Sequence, residues 1–201
     1  MKKYAFLFLM VLLGYNVSTY AQAVDDRAVI PVAVTLNSIL HLNVKSGGNI
    51  EFNFNTLEQY QSGITNSPEY DTKIDIASST NWRLKMGAED GNLLNTDSTG
   101  GAVMPLDYIA YAISNDGGSI SEIPSGEDNY VDLTQITSPS PAYILQYNGT
   151  DSNAGSASVN SFTISWECGT GNTTGGALLG SNLTGGRYAT NVFFILERDP
   201  N

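Results

Sequence analysis

Apolar residues alternate with polar ones at period two along most of this chain, and that pattern restricts what it can fold into more than any other feature. Side chains two apart share one face of a strand, whereas a helix needs apolar residues three and four apart. Leu40, Leu42 and Val44 alternate with His41 and Asn43, and Ile50, Phe52 and Phe54 follow after Lys45-Ser46-Gly47-Gly48-Asn49, the pattern of a hairpin. Further strands are expected at Tyr70 to Ile76, Trp82 to Met86, Tyr130 to Leu133, Tyr143 to Tyr147, Phe162 to Cys168 and Tyr188 to Glu197. Pro105 to Ile113 is apolar in both alternating sets and is expected to be a central strand. One short helix is expected near residues 57–62, where Thr56-Leu57-Glu58-Gln59 has the form of a capping box and Gly63 a stop. Paired glycines, such as Gly100-Gly101 and Gly175-Gly176, punctuate turn-rich stretches at Glu89 to Gly101, Asn115 to Asn129, Asn148 to Ser161 and Gly169 to Gly186. Short strands with turns of this kind predict an all-β chain, a single antiparallel β-sandwich of immunoglobulin-like layout.

Residues 1–21 read as a secretory signal peptide. Lys2 and Lys3 precede an apolar run from Tyr4 to Gly14, shorter than the roughly 20 residues that a membrane span requires, and Ala21 offers a small residue for cleavage. The expected mature chain, residues 22–201, is one domain that is secreted or held at the cell surface, with no membrane span after cleavage. Losing two lysines moves the net charge from −11 to −13, with 7 basic residues against 20 acidic ones. Nucleic acid is therefore not an expected partner, because phosphate backbones are held by clustered Lys and Arg.

Few residues offer chemistry. His41 is the one histidine, so zinc sites built on several histidines are excluded and any Ser–His–acid arrangement depends on a mid-strand residue. No glycine-flanked serine elbow occurs, and Asp71 and Asp75, with Lys73 between them, read as an outer strand face rather than a catalytic pair. The chain is not expected to be an enzyme or to need a cofactor. Calcium enters only as a weak alternative through Glu89-Asp90, Asp97, Asp116 and Glu127-Asp128, none with EF-hand spacing. Cys168 stands alone, two residues from Trp166 and four from Ile164, so it is either a buried thiol on their strand face or an intermolecular one.

Ile30, Val32, Val34 and Leu36 alternate with Pro31, Ala33 and Thr35 just after the charged lead Asp25-Asp26-Arg27. Two roles are open to this segment, and burial is expected in both: it is the domain's own first strand, or it is an assembly strand that completes a neighbour's sheet.

Together with the Tyr20-Ala21-Gln22 junction, Ile30 to Leu36 and Gly185-Gly186-Arg187-Tyr188-Ala189-Thr190-Asn191-Val192 resemble the small exported β-sandwich proteins of Bacteroidetes, and among them pilin-like and spore-coat-U-like fimbrial subunits. The likeness covers the two ends and the general layout, and the disulfide usual in pilins is missing. It implies a structural or adhesive subunit of a surface or extracellular filament, whose partners are other copies of itself or related surface subunits. Asp97-Ser98-Thr99 is similar to the O-glycosylation sequence of such exported proteins, with Ser98 as acceptor. The alternative from another class is a secreted carbohydrate-binding module, with glycans as partners.

Overall fold

The computed structural model describes residues 30–97, 101–117, 129–137, 143–147 and 149–200. The chain divides into two compact units, Met1–Leu36 and Asn37–Asn201. In the first, the described residues 30–36 belong to no strand.

The second unit is all-β, with strands β1 (Leu40–Ser46), β2 (Asp71–Ser78), β3 (Trp82–Ala88), β4 (Asn92–Asn95), β5 (Val103–Pro105), β6 (Ile109–Asn115), β7 (Val131–Asp132), β8 (Tyr143–Leu145), β9 (Ser161–Cys168), β10 (Tyr188–Ala189) and β11 (Val192–Arg198). They form a five-stranded sheet in the order β1-β2-β9-β6-β7 and two three-stranded sheets, β11-β3-β8 and β10-β4-β5. Every strand ladder is antiparallel. The layers enclose one core. Ile74, Ile76, Phe162, Ile164 and Ile113 come from the large sheet and Trp82, Leu84 and Leu145 from the second, all at 1 % exposure or less. Burying an aliphatic or aromatic side chain of this size contributes on the order of 1.5–3 kcal/mol. β6 is buried at Ile109 to Ile113, as its two apolar sets require.

The one α-helix among the described residues, α1 (Leu57–Ser62), ends where its caps place it. Thr56 Oγ1 accepts from the Gln59 N–H at 3.2 Å, and Gln59 Oε1 accepts from the Thr56 N–H at 3.0 Å, so two otherwise orphaned donors are satisfied. At Gly63, φ is 75° and an added Cβ would collide with the Gly169 backbone, so both conformation and space exclude a side chain.

Four expectations about local structure are corrected. Ile30 to Leu36 is not a first strand. Ile50 to Phe54 does not pair with β1; β1 pairs instead with β2, Leu42 opposite Ile76 and Val44 opposite Ile74, because that register sets β1's apolar residues beside the core. Ile50, Phe52 and Phe54 still alternate half-buried with exposed, and their rings pack on side chains, Phe52 with Tyr70 at 4.6 Å and Phe54 with Tyr60 at 5.4 Å. Tyr188 to Glu197 is two strands in different sheets, broken at Thr190-Asn191. The stretch Glu89 to Gly101, read as turns, holds β4, which β5 and β10 flank with short ladders of three and two residue pairs.

Candidate functional site

The feature best built for interaction is the seam where the edge strands β1 and β11 lie next to each other, each with no strand on its second side among the described residues. In an antiparallel ladder directly opposite residues share a face. Val192, Phe194 and Leu196 stand opposite Ala88, Met86 and Leu84, and so face the core, as do Leu40, Leu42 and Val44 opposite Ser78, Ile76 and Ile74. Interior partners of these residues are closed, Ile74 at 1 % and Ile76 and Leu84 at 0 %. The edge residues are not: Leu40 is 37 % exposed and Val44 39 %, while Leu42, Val192, Phe194 and Leu196 are half-buried. The core is thus open along this seam.

β11 is also apolar on its outer face, where Phe193 and Ile195 are 44 % and 41 % exposed. Natural sheet edges are normally blunted by charge, proline or a covering segment. β11 carries neither proline nor lysine, and its charges, Glu197 and Arg198, stand at its end. The outer face of β1 is polar by contrast, with His41, Asn43 and Lys45.

The four expected assembly residues are exposed, Ile30 at 81 %, Val32 at 85 %, Val34 at 77 % and Leu36 at 89 %. These exposures are not the burial expected of the segment on both readings. Ser98 and the acids Glu127-Asp128 lie outside the described residues. Of the other candidate calcium ligands, Asp116 accepts a hydrogen bond from Thr163 Oγ1 at 2.6 Å. Among the described residues no group of three or more His, Cys, Asp or Glu side chains is placed to hold a metal ion.

The paired acids of β2 have structural work. Asp71 accepts a hydrogen bond from Ser165 Oγ at 2.7 Å, and Asp75 pairs with Lys45 at 2.6 Å. Asp75 is only 5 % exposed, which corrects its reading as a solvated face, and the Lys45 ammonium from the neighbouring strand supplies its charge partner. Glu167, 3 % exposed, accepts from Thr170 Oγ1 and Asn172 Nδ2 at 2.7 and 2.8 Å, the compensation that a buried carboxylate requires. Its turn partners lie in the glycine-rich stretch that follows, so periodicity alone does not reveal it.

Trp82 and Trp166 are core residues, and Cys168 is buried in the same core at 2 %. Burial pushes the Cys168 thiol up to about 12. Only the thiolate reacts readily, so at pH 8 a native sample is expected to leave a disulfide reagent unconsumed and to release one equivalent on denaturation. Fast reaction without denaturant would show that the β9 end is not closed.

Near the C-terminal end of β11, Glu197 accepts from Arg83 Nε at 3.1 Å, and the guanidinium and Lys85 ammonium both lie over the Tyr143 ring, at 4.5 and 4.8 Å. Partial burial alone would raise the Glu197 pKa. The Arg83 hydrogen bond, the Lys85 and Arg83 charges and the Tyr143 hydroxyl outweigh it and hold the carboxyl below its usual range. A depressed folded pKa adds stability that is present above the unfolded-state value, about 4.3, and is lost as pH falls through the folded one. Glu197→Gln is therefore expected to lower the melting temperature at pH 7 and to make little difference once pH falls below that folded value. Equal effects at both pH values would exclude the ionised pair as the cause.

The edge at β11 is the part of the site that periodicity alone overlooks, although a signal exists: Val-Phe-Phe-Ile-Leu is apolar in both phases yet terminates a sheet. No family model matches the chain, and no curated protein is similar to it.

Proposed function

We propose that this protein is an exported structural or adhesive subunit of a cell-surface or extracellular filament, and that its copies join by adding a strand to a sheet edge. One observation carries the reading: the same chain holds an exposed segment with alternating apolar side chains, Ile30 to Leu36, and an apolar seam between the edge strands β1 and β11, neither of which has a strand on its second side among the described residues. Strand addition takes its affinity from main-chain hydrogen bonds along an open edge and its specificity from alternate side chains seated in pockets. Ile30, Val32, Val34 and Leu36 supply such side chains. Removal of a signal peptide would leave this segment close behind a free, charged terminus.

The test images residues 22–201 by negative-stain electron microscopy beside a chain that begins at Asn37. Filaments or ordered oligomers from the first and monomers from the second are expected. A longer chain that stays monodisperse at high concentration, and is absent from any filament or surface layer of its host, removes the proposal. The carbohydrate-binding alternative calls for a flat row of exposed aromatic rings. Of the aromatic side chains described, Tyr60 and Phe193 are the exposed ones, on α1 and β11. Saturable hits on a glycan array would favour that alternative.

A further inference from the structure

An open cleft of about 480 Å³ lies beside the end of the β4–β5 ladder, where Asn92 stands opposite Pro105. Its lining includes Gly91 before β4, Pro105 at the end of β5, Asp107 in the 3-10 turn that follows, and Thr134, Gln135 and Thr137 after β7. Backbone hydrogen bonds hold these segments in place. The Asp107 carbonyl accepts from the Gly175 N–H at 2.9 Å, the Thr134 carbonyl accepts from the Ala88 N–H at 2.8 Å, and the Ile136 N–H donates to the Ala88 carbonyl at 2.8 Å.

The cleft contains a carboxylate that holds nothing within the chain. Asp71, Asp75, Asp116 and Glu167 each have a hydrogen-bond donor or a cation. Asp107 Oδ1 is enclosed by protein and has no hydrogen-bond partner, and no ion pair reaches this carboxylate among the described residues. A carboxylate oxygen closed off without a donor costs stability rather than adding it, so Asp107 is not explained by the fold.

The rest of the lining is also rich in acceptors. Gln135 gives its Nε2 to the Glu89 carbonyl at 3.1 Å, which leaves Oε1 as a free acceptor. That oxygen lies 3.5 Å from the point that a Cβ on Gly91 would occupy. Pro105 has no N–H, and Thr134 and Thr137 can accept as well as donate. No Lys, Arg or His lines the cleft.

We propose that this cleft binds a primary ammonium group, carried by an alkylamine or by a lysine side chain, with Asp107 as counter-charge and Gln135 Oε1 and the threonine hydroxyls as further acceptors. An ammonium has three donors and no acceptor, the complement of this lining. The Cβ–Cγ torsion of aspartate is soft, so either carboxylate oxygen can turn to the ligand. Calcium fits less well, because it gathers six to eight oxygens and the lining holds one carboxylate. The net charge of −11 attracts cations to the whole molecule. The cleft shares no residue with the β1–β11 seam, and the proposal does not depend on filament assembly.

Amide NMR of the full chain at constant ionic strength tests it. Cadaverine probes for a free alkylamine and Nα-acetyl-lysine amide for a lysine in a peptide, while Nε-acetyl-lysine keeps the lysine stem without its charge. Saturable shifts at Gly91, Gln135 and Thr137 are expected from an amine probe, with a dissociation constant on the order of 1 mM, and none from the acetylated stem. The amine that binds more tightly identifies the source of the ammonium. Asp107→Asn removes the charge without breaking a hydrogen bond within the chain and should weaken binding roughly tenfold. Gly91→Leu fills the cleft and should do the same. The Gly91 backbone lies outside the left-handed region and its Cβ would meet nothing nearer than 3.5 Å, so both variants should melt within about 2 °C of wild type. No saturation by either amine at about 10 mM overturns the proposal. So does undiminished binding by Asp107→Asn, or an equal response to the acetylated stem.

Discussion

Replacing Val32 and Val34 together by aspartate is expected to abolish assembly while leaving the fold intact. Both side chains are exposed, at 85 % and 77 %, so the melting temperature of the monomer should move by no more than about 1–2 °C. In an assembled copy they would lie against Leu42, Val44, Phe194 and Leu196, where a carboxylate finds no donor from these side chains. An unpaired charge moved from water into such a place costs several kcal/mol. Taking about 3 kcal/mol for each, the pair weakens subunit association by roughly four orders of magnitude. Gel filtration with light scattering, supported by electron microscopy, reads the change. Phe194→Asp on the receiving side should have the same effect on assembly, although it also costs monomer stability because Phe194 packs on the core. If both aspartates are tolerated and oligomers persist, Ile30 to Leu36 is not the assembling strand.

The second large effect is on stability and comes from Asn153, which lies in a turn-rich stretch yet is 2 % exposed. Its side chain serves both backbone groups of Trp82, the first residue of β3: Oδ1 accepts from the Trp82 N–H at 3.0 Å and Nδ2 donates to the Trp82 carbonyl at 2.8 Å. The Asn153 carbonyl accepts from the Trp82 indole at 2.7 Å and from Asn160 Nδ2 at 2.9 Å. Asn160 in turn accepts through its carbonyl from the Ile76 N–H at 3.0 Å, which ties the loop to β2. One primary amide therefore satisfies both backbone groups of Trp82, which would otherwise be a buried bare donor and a bare acceptor. Asn153→Ala orphans both, at about 1–3 kcal/mol each. A loss of about 4 kcal/mol, or roughly 8–16 °C in melting temperature for a domain of this size, is expected from calorimetry. Asn153→Asp should also destabilise, since a carboxylate accepts but cannot donate to the Trp82 carbonyl. A drop of only a degree or two for Asn153→Ala would mean that water replaces the amide and that the loop is not a fastening for β3.

Both effects show how far the residues can be read in order. Alternation is local, so β1, β2, β3, β9 and the apolar stretch of β6 are legible from it, and the capping box at Thr56 and Gln59 is legible because its partners are three residues apart. Asn153 is not legible. Nothing at that position distinguishes it from the other polar loop residues, and its partner lies 71 residues away. The same holds for Glu167, whose neighbours Thr170 and Asn172 read as turn residues until burial makes them the partners of a carboxylate. Asp75, paired with Lys45 from the neighbouring strand, is a further case.

What the residues determined alone is the period: which stretches are extended, which faces are apolar, where turns and one helix interrupt, and that Ile30 to Leu36 carries an apolar face of its own. Only the tertiary structure decided which strands became neighbours. Ile50 to Phe54 is nearer to β1 in the chain and has the right alternation, yet β2 pairs with β1, because β2 is itself held by β9 and brings the core face with it. Strand pairing depends on backbone groups that every residue carries, so alternation names a face and never a partner. For the same reason the open seam at β1 and β11 emerges only in three dimensions: an edge is defined by the strand that is not there.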